Sequence, residues 1–408
     1  MSVQEADLGP YTLPYRYTSN MPEVSDTSAT GVAYLDHNAT TPVDPRVAEE
    51  VMKFMLLDYG NAGSRTHTFG QTAKERVQRA RTEIADLLAC DPAEVIFTSG
   101  ATESNNLAIL GLASHGEETG RKHIVSTLIE HKAVLEPLDE LAKRGFEVDL
   151  AAPGPGGRVD PEEIIRLVRP DTLLVSTMAV NNETGVIQPI EQVADALRGT
   201  DTFFHVDAAQ AYGKLIAPLR HDRVDLLSFS GHKIGAPKGI GGLLTRRRGY
   251  KRPPLTPLMF GGGQERGLRP GTLPVALIAG LGLASSLAVK EFAQRHARAR
   301  ETRDLLVEAL TPLNPQFNSD LEHTIDSTLN FSIPGVDSEA AIVALKDIVA
   351  ISNGSACTSQ TYEPSHVLLA SGIGDERVAG ALRLSWGYDQ TLPNVDELVG
   401  RLRSLSRS

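Results

Sequence analysis

Cysteine occurs only twice in 408 residues, at Cys90 and Cys357. Two thiols so far apart in the chain supply neither a disulfide framework nor a metal site, so a reducing, cytoplasmic setting without a metal is expected. Basic charge is also in deficit, with 40 Lys and Arg against 51 Asp and Glu and a net charge of −11. Gripping a phosphate backbone needs clustered cations, and this balance argues against direct nucleic-acid binding. The one basic run, Arg246-Arg-Arg-Gly-Tyr-Lys-Arg252, reads as a solvated loop or a docking edge for an acidic partner. Long apolar runs are missing as well. The uncharged stretch from Leu273 to Val289 contains Pro274, two glycines and two serines. It falls short of the about 20 apolar residues a membrane span needs, so a buried helix is expected and no membrane partner. The N-terminus lacks a basic segment followed by an apolar one, and no internal repeat is found.

What the chain does have is a repeated grammar of short apolar runs that stop at polar clusters. In Ser228-Phe-Ser-Gly-His-Lys-Ile-Gly-Ala-Pro-Lys-Gly239 an apolar strand ends in a hydroxyl, an imidazole and Lys233 inside a glycine-rich turn. A lysine that carries pyridoxal phosphate (PLP) needs such a short tether beside a phosphate site, with Ser230 and His232 as donors to the phosphate. Upstream, Phe203-Phe-His-Val-Asp-Ala-Ala-Gln210 ends a buried strand at Asp207, with Gln210 beyond it. A carboxylate beneath the PLP ring nitrogen favours its protonated form, and Gln210 can donate to the ring's phenolic oxygen. The plain alternative for Asp207 is a helix N-cap. In Glu94-Val-Ile-Phe-Thr-Ser-Gly-Ala-Thr-Glu-Ser-Asn-Asn-Leu107 a strand and a turn open a helix whose free N–H groups make an anion site, with Thr102 adding a hydroxyl. A capping box of Thr102 with Asn105 or Asn106 would need no ligand. Two more strands stop at Glu130-His131 and at Asn181-Asn182-Glu183-Thr184-Gly185. Parallel α/β sheets bind ligands beyond the carboxyl ends of their strands, so these clusters are expected in one crevice, with His131 stacked over a cofactor ring.

These residues resemble a cysteine desulfurase of the NifS/IscS type in the class V aminotransferase superfamily. The likeness runs from about Tyr34 to the end of the chain through eight ordered motifs. They are Tyr34-Leu-Asp-His-Asn-Ala-Thr-Thr-Pro42, Gly63-Ser-Arg-Thr-His67, Ser99-Gly-Ala-Thr-Glu-Ser-Asn-Asn106, Asn181-Asn-Glu-Thr-Gly185, Val206-Asp-Ala-Ala-Gln210, Ser230-Gly-His-Lys233, Arg269-Pro-Gly-Thr272 and Gly354-Ser-Ala-Cys-Thr-Ser359. The resemblance implies a PLP-dependent fold-type I architecture of aspartate aminotransferase type. A large domain with a mainly parallel seven-stranded sheet would carry a smaller α+β domain. It also implies that Lys233 binds the cofactor covalently, that His131 stacks on the ring and moves protons, and that Asp207 and Gln210 meet the ring nitrogen and oxygen. Ala101, Thr102, Ser230 and His232 would hold the phosphate, Asn182 would touch both cofactor and substrate, and Thr272 would reach the phosphate of a partner subunit in a homodimer. His37, Asn38 and Arg383 would line the substrate site, with Arg383 on the α-carboxylate of L-cysteine.

Cys357 selects the reaction. It lies in Ser352-Asn-Gly-Ser-Ala-Cys-Thr-Ser-Gln-Thr361, a small, polar stretch that reads as a mobile loop. The family's nucleophilic cysteine matches it, which implies conversion of L-cysteine to L-alanine with a persulfide left for an acceptor protein of unknown identity. Iron–sulfur cluster assembly, tRNA thiolation and DNA phosphorothioation are the acceptor routes open to the family, and a selenocysteine lyase or class V transaminase is the alternative activity. Cys90, in Ile84-Ala-Asp-Leu-Leu-Ala-Cys90, reads as helix-end packing without chemistry. In Gly380-Ala-Leu-Arg-Leu-Ser-Trp386, strand alternation puts Arg383 and Ser385 on one face, and a salt bridge is the plain alternative for the guanidinium. The expected organisation is a flexible extension at 1–32, a PLP-binding large domain at 42–289, and a small domain from 33–41 and 290–408 that carries the Cys357 loop. Two departures stand out: the chain stops at Ser408 without the long C-terminal tail of housekeeping relatives, which favours a dedicated branch such as the DndA type, and position 37 is histidine.

Overall fold

The computed structural model describes residues 31–353, 364–389 and 391–406. Its strands are β1 (Ala33–Tyr34), β2 (Val95–Thr98), β3 (His123–Thr127), β4 (Glu147–Ala151), β5 (Thr172–Met178), β6 (Phe203–Asp207), β7 (Leu226–Ser230), β8 (Gly241–Thr245), β9 (Gln316–Phe317), β10 (Thr328–Ser332), β11 (Val349–Ala350) and β12 (Ala381–Ser385). Seven of them form one sheet in the order β2-β8-β7-β6-β5-β3-β4. Every neighbouring pair in that sheet is parallel except those of β8, which opposes both β2 and β7. The expected α/β fold with a mainly parallel seven-stranded sheet is therefore present. Buried runs such as Thr-Leu-Leu-Val-Ser-Thr-Met in β5, covered on both faces, are what a parallel sheet between helices requires.

β8 starts beside the carboxyl ends of its neighbours and runs back toward their amino ends, and its register sets Gly241 opposite both Thr98 and Ser230. A Cβ at Gly241 would lie 2.4 Å from the Phe229 carbonyl oxygen and 2.7 Å from Gly100 Cα, so only glycine lets the three segments meet. The same logic seats the uncharged helix seen in the sequence. Val275–Lys290 packs against the helices Pro45–Leu56 and Thr68–Leu88. At Gly282 an added Cβ would come within 2.7 Å of Ala80 Cα, so this close helix crossing needs a bare backbone. No single helix among the described residues is long and apolar enough to cross a membrane.

Two large hydrophobic clusters flank the site. One lies under the seven-stranded sheet and includes Val125, Val175, Val206, Phe229 and Ile278. The other joins Ala33 and Leu35 to Leu306, Phe331, Trp386 and Leu402, around the antiparallel sheet β12-β10-β9 and the parallel pair β1-β11. A bend of 75° after Val275–Lys290 redirects the chain from the first cluster to the second. Residues 36–39 turn at the end of β12, where Asp36 bridges Ser385 and the Asn38 N–H donates to Ser385 Oγ at 2.9 Å.

Of the basic run, residues 249–252 are exposed as a solvated loop would be, but the three consecutive arginines before them are engaged within the chain. Arg246 donates to the Val224 carbonyl at 3.1 Å, Arg247 pairs with Asp91, and Arg248 Nε donates to Asp225 Oδ1 at 2.6 Å. These side chains tie the end of β8 to its surroundings. Clustered arginines meet planar carboxylate and carbonyl partners here, a use that charge counting alone does not reveal.

Candidate functional site

The carboxyl ends of β2, β3, β5, β6 and β7 open into one cleft of about 540 Å³. It is lined by Asn38, Ala101, Thr102, His131, Asn182, Asp207, Gln210, Ser230, His232, Lys233 and Arg383, so eleven of the expected residues come together. Three do not. Cys357 lies outside the described residues. Thr272 is exposed and does not line the cleft of its own chain. His37 is buried behind it, with its ring 5.3 Å from that of Tyr34. Burial, then the charge of Lys214, pushes His37 down to about 4, so it stays neutral.

Lys233 follows β7 in a single 3₁₀ turn, Gly231–Lys233. Its ammonium donates to the main-chain carbonyl of Asn38 and, at 2.8 Å, to that of Ala39. Gln210 Nε2 donates to the same Asn38 carbonyl at 2.8 Å. Asp207, at the end of β6, accepts from the Ala209 N–H at 2.8 Å through Oδ1 and from Asn105 Nδ2 at 2.7 Å through Oδ2. The helix N-cap weighed for Asp207 does not form, because β6 is followed by a turn, which Asp207 caps with only one oxygen. Both donors are neutral, and lone pairs remain for a cation.

His131 is the N-cap of the helix Lys132–Lys143, where its Nδ1 accepts from the Ala133 N–H at 3.0 Å. That contact leaves the hydrogen of the neutral ring on Nε2. Burial lowers the affinity of His131 for a second proton, partly offset by Asp207. His232 is pushed down to about 4 by burial and then by Lys233, Lys238 and Lys214, and its Nδ1 meets Thr40 Oγ1 at 3.2 Å.

The helix Ala101–Leu110 begins at Gly100 with no side-chain cap among the described residues. The capping box weighed for Thr102 does not form, because Asn105 turns to Asp207 and Asn106 Nδ2 donates to the Thr102 carbonyl at 3.0 Å. First-turn N–H groups therefore face the cleft beside Ser230 and His232, an arrangement suited to a phosphate. A cleft of this volume, with a lysine at its floor, an uncapped helix start at one end and a half-satisfied buried aspartate between them, fits PLP.

Arg383 does form the salt bridge held as its plain alternative, Nη2 to Asp36 Oδ1 at 2.7 Å, and Nη1 donates to the Asn182 carbonyl at 3.0 Å. It nonetheless lines the cleft, and its buried Nε has no hydrogen-bond partner among the described residues. Sequence reading missed several neighbours. Lys238 lines the cleft five residues past Lys233. Arg269 donates to Glu103 Oε1 at 3.0 Å, fastening the Arg-Pro-Gly-Thr segment to the uncapped helix. Glu183 is buried and accepts from Ser365 Oγ at 2.5 Å, and burial drives its proton affinity up. Glu130 is buried too and pushed up to about 8 by burial, despite accepting from Thr127 Oγ1 and the Met178 N–H. Cys90, by contrast, is pushed up to about 12, burial being the main cause, so its thiol is inert at neutral pH.

The family described as aminotransferase class-V matches residues 33–398. Cysteine desulfurase IscS of Escherichia coli K12/DH10B is 48% identical over 383 residues, which are 91% of this chain and 94% of that protein. Among solved structures, DndA from Streptomyces lividans is 54% identical with a TM-score of 0.77, covering 87% of this chain and 98% of its own. SspA, solved in complex with cysteine, is 35% identical with a TM-score of 0.76 over 87% of this chain and 98% of its own.

Proposed function

The chain belongs to the aminotransferase class-V family, and from that premise we propose that its cleft binds PLP on Lys233 and takes sulfur from L-cysteine onto Cys357. It is a PLP-dependent cysteine desulfurase with sulfur transfer, as the identities to IscS and DndA support. The observation that carries the reading is the convergence of Lys233, Asp207, His131 and an uncapped helix start on one cleft. Bound there, the cofactor supplies an electron sink for charge developing at the substrate Cα.

The residues do the rest. Arg383 and Asn182 orient the substrate α-carboxylate at the mouth, the guanidinium Nε offering a donor not already engaged. Lys233 carries the proton that leaves Cα, and its short 3₁₀ tether keeps it within reach. Neutral His131 presents Nε2–H to the cofactor face and relays protons there. Asp207 holds positive charge on the ring nitrogen. The Cys357 thiolate attacks the substrate sulfur: the bond from sulfur to the β-carbon breaks, a sulfur–sulfur bond forms, and the released electron pair ends as a C–H bond of alanine.

We also read residues 42–289 as the large domain and 33–41 with 290–408 as the small one, a division supported by the two hydrophobic clusters. The active form is read as a cytoplasmic homodimer in which Thr272 reaches the partner's phosphate site. Its exposure, together with the exposed apolar side chains Met55, Leu56, Leu57 and Tyr59, supports a partner surface. The identity to DndA supports that branch as the sulfur route, with an acceptor protein between the enzyme and its final target.

A single-turnover incubation with L-cysteine and no reductant, followed by peptide mass spectrometry, tests the activity. One added sulfur on the Cys357 peptide with equimolar alanine is expected. An unmodified peptide with PLP bound would transfer the reading to a selenocysteine lyase or transaminase.

A further inference from the structure

The helix Ala101–Leu110 does two things at once. Its uncapped first turn faces the phosphate end of the cleft, and Asn105, one turn further in, reaches the aspartate at the ring end. Asn105 is 1% exposed and lines the cleft. Its Nδ2 donates to Asp207 Oδ2 at 2.7 Å, and its Oδ1 has no hydrogen-bond partner among the described residues. The other oxygen of Asp207 is held by the Ala209 N–H at 2.8 Å. One tether leaves a carboxylate free to turn about its own axis, whereas two fix its plane.

We propose that Asn105 is the positioning residue that sets the plane of the Asp207 carboxylate under the cofactor's ring nitrogen, so that one helix both receives the phosphate and aims the ring's counter-ion. The inference rests on the PLP reading above. Asn105 acts through Asp207 and takes no part in proton movement. Aspartate in its place would put two buried carboxylates at hydrogen-bond distance, and such a pair shares one proton.

The test uses the full-length apoenzyme, titrated with PLP and with pyridoxal, which lacks the phosphate, and with inorganic phosphate as a competitor. Holoenzyme reconstituted with ¹⁵N-ring-labelled PLP gives the protonation state of the ring nitrogen by NMR. Asn105→Ala should weaken PLP and pyridoxal by the same factor, roughly tenfold, and shift the ¹⁵N resonance toward the deprotonated position. Competition by inorganic phosphate should not change, because the first turn of the helix is untouched. Asn105→Asp should be worse than Asn105→Ala. In an Asp207→Asn background, Asn105→Ala should add less than about twofold, since coupled residues are not additive. Unchanged affinity and resonance in Asn105→Ala, or an undiminished effect in the Asp207→Asn background, would overturn the proposal. A lost phosphate competition would also overturn it, by showing that the helix itself is distorted. Wild-type protein that binds neither PLP nor pyridoxal would instead remove the cofactor reading on which it stands.

Discussion

Two aspartates sit at opposite ends of neighbouring strands, equally buried at 4% and 3% exposure, and are treated differently by the fold. Asp225 precedes β7 and accepts from four donors: Arg248 Nε at 2.6 Å, Arg223 Nη1 at 2.6 Å, Arg248 Nη2 at 2.7 Å and the Phe204 N–H at 2.7 Å. Asp207 ends β6 and accepts from two neutral donors. The first carboxylate is saturated and its charge answered within the chain. The second is oriented but its charge is left for something that enters the cleft. Unfinished electrostatics beside a cavity mark chemistry, and finished electrostatics mark architecture.

The contrast can be broken in three ways. Asp225→Ala should cost about 3–5 kcal/mol of folding stability, because it leaves the buried Arg223 guanidinium, and the part-exposed one of Arg248, without their carboxylate. Chemical denaturation measures it, and the turnover of the folded fraction should stay the same. Asp207→Asn should do the reverse, lowering L-cysteine turnover by on the order of 10²–10³-fold with a melting temperature within a few degrees of the parent. A destabilised Asp207 variant with normal turnover would exchange the two roles. The third effect is smaller and depends on pH. Lys214, whose Nζ lies 3.5 Å from Gln210 Oε1, is held at about 7 against a usual 10.5, by burial and then by Lys233 and Arg383. As pH falls from 10.5 toward 7 the unfolded chain gains a proton there that the folded chain refuses, so this lysine's penalty on folding grows through that window and is complete below it. Lys214→Met should therefore stabilise the protein more near pH 6 than near pH 10. An equal effect at both would mean that this end of the sheet treats its cations as the other does.

Much of the site was legible because parallel strands put chemistry right after apolar runs. Asp207 ends a strand, Lys233, His131 and Asn182 each follow one within a few residues, and strand periodicity placed Arg383 and Ser385 together. Asn105 was visible but was weighed as a cap, since its partner is 102 residues away. Helical spacing from Ala101 was the one signal that could have pointed inward. Lys238 was read as part of a turn. Ser365 and Glu183 are joined by a contact spanning 182 residues, which no local pattern encodes. His37 was assigned to the substrate mouth by resemblance, but it sits in the turn 37–39, where it is buried against Tyr34 while Asn38 lines the cleft. The arginines of the basic run looked free because their carboxylate partners come from distant segments of the chain.

Lys233 rests on the carbonyls of Asn38 and Ala39, and the residues just before them, Ala33 and Leu35, belong to the second hydrophobic cluster. That nitrogen thus serves as one latch between two bodies of packed side chains, beside Gln210 Nε2 on the Asn38 carbonyl and the Thr41 N–H on the His232 carbonyl. Whatever claims that nitrogen must first unfasten it, and removing the amine altogether leaves the latch permanently undone. Filling the cleft and easing the seam between the cores are then coupled, because occupancy withdraws the lysine's bonds while the Thr41 N–H stays on the His232 carbonyl.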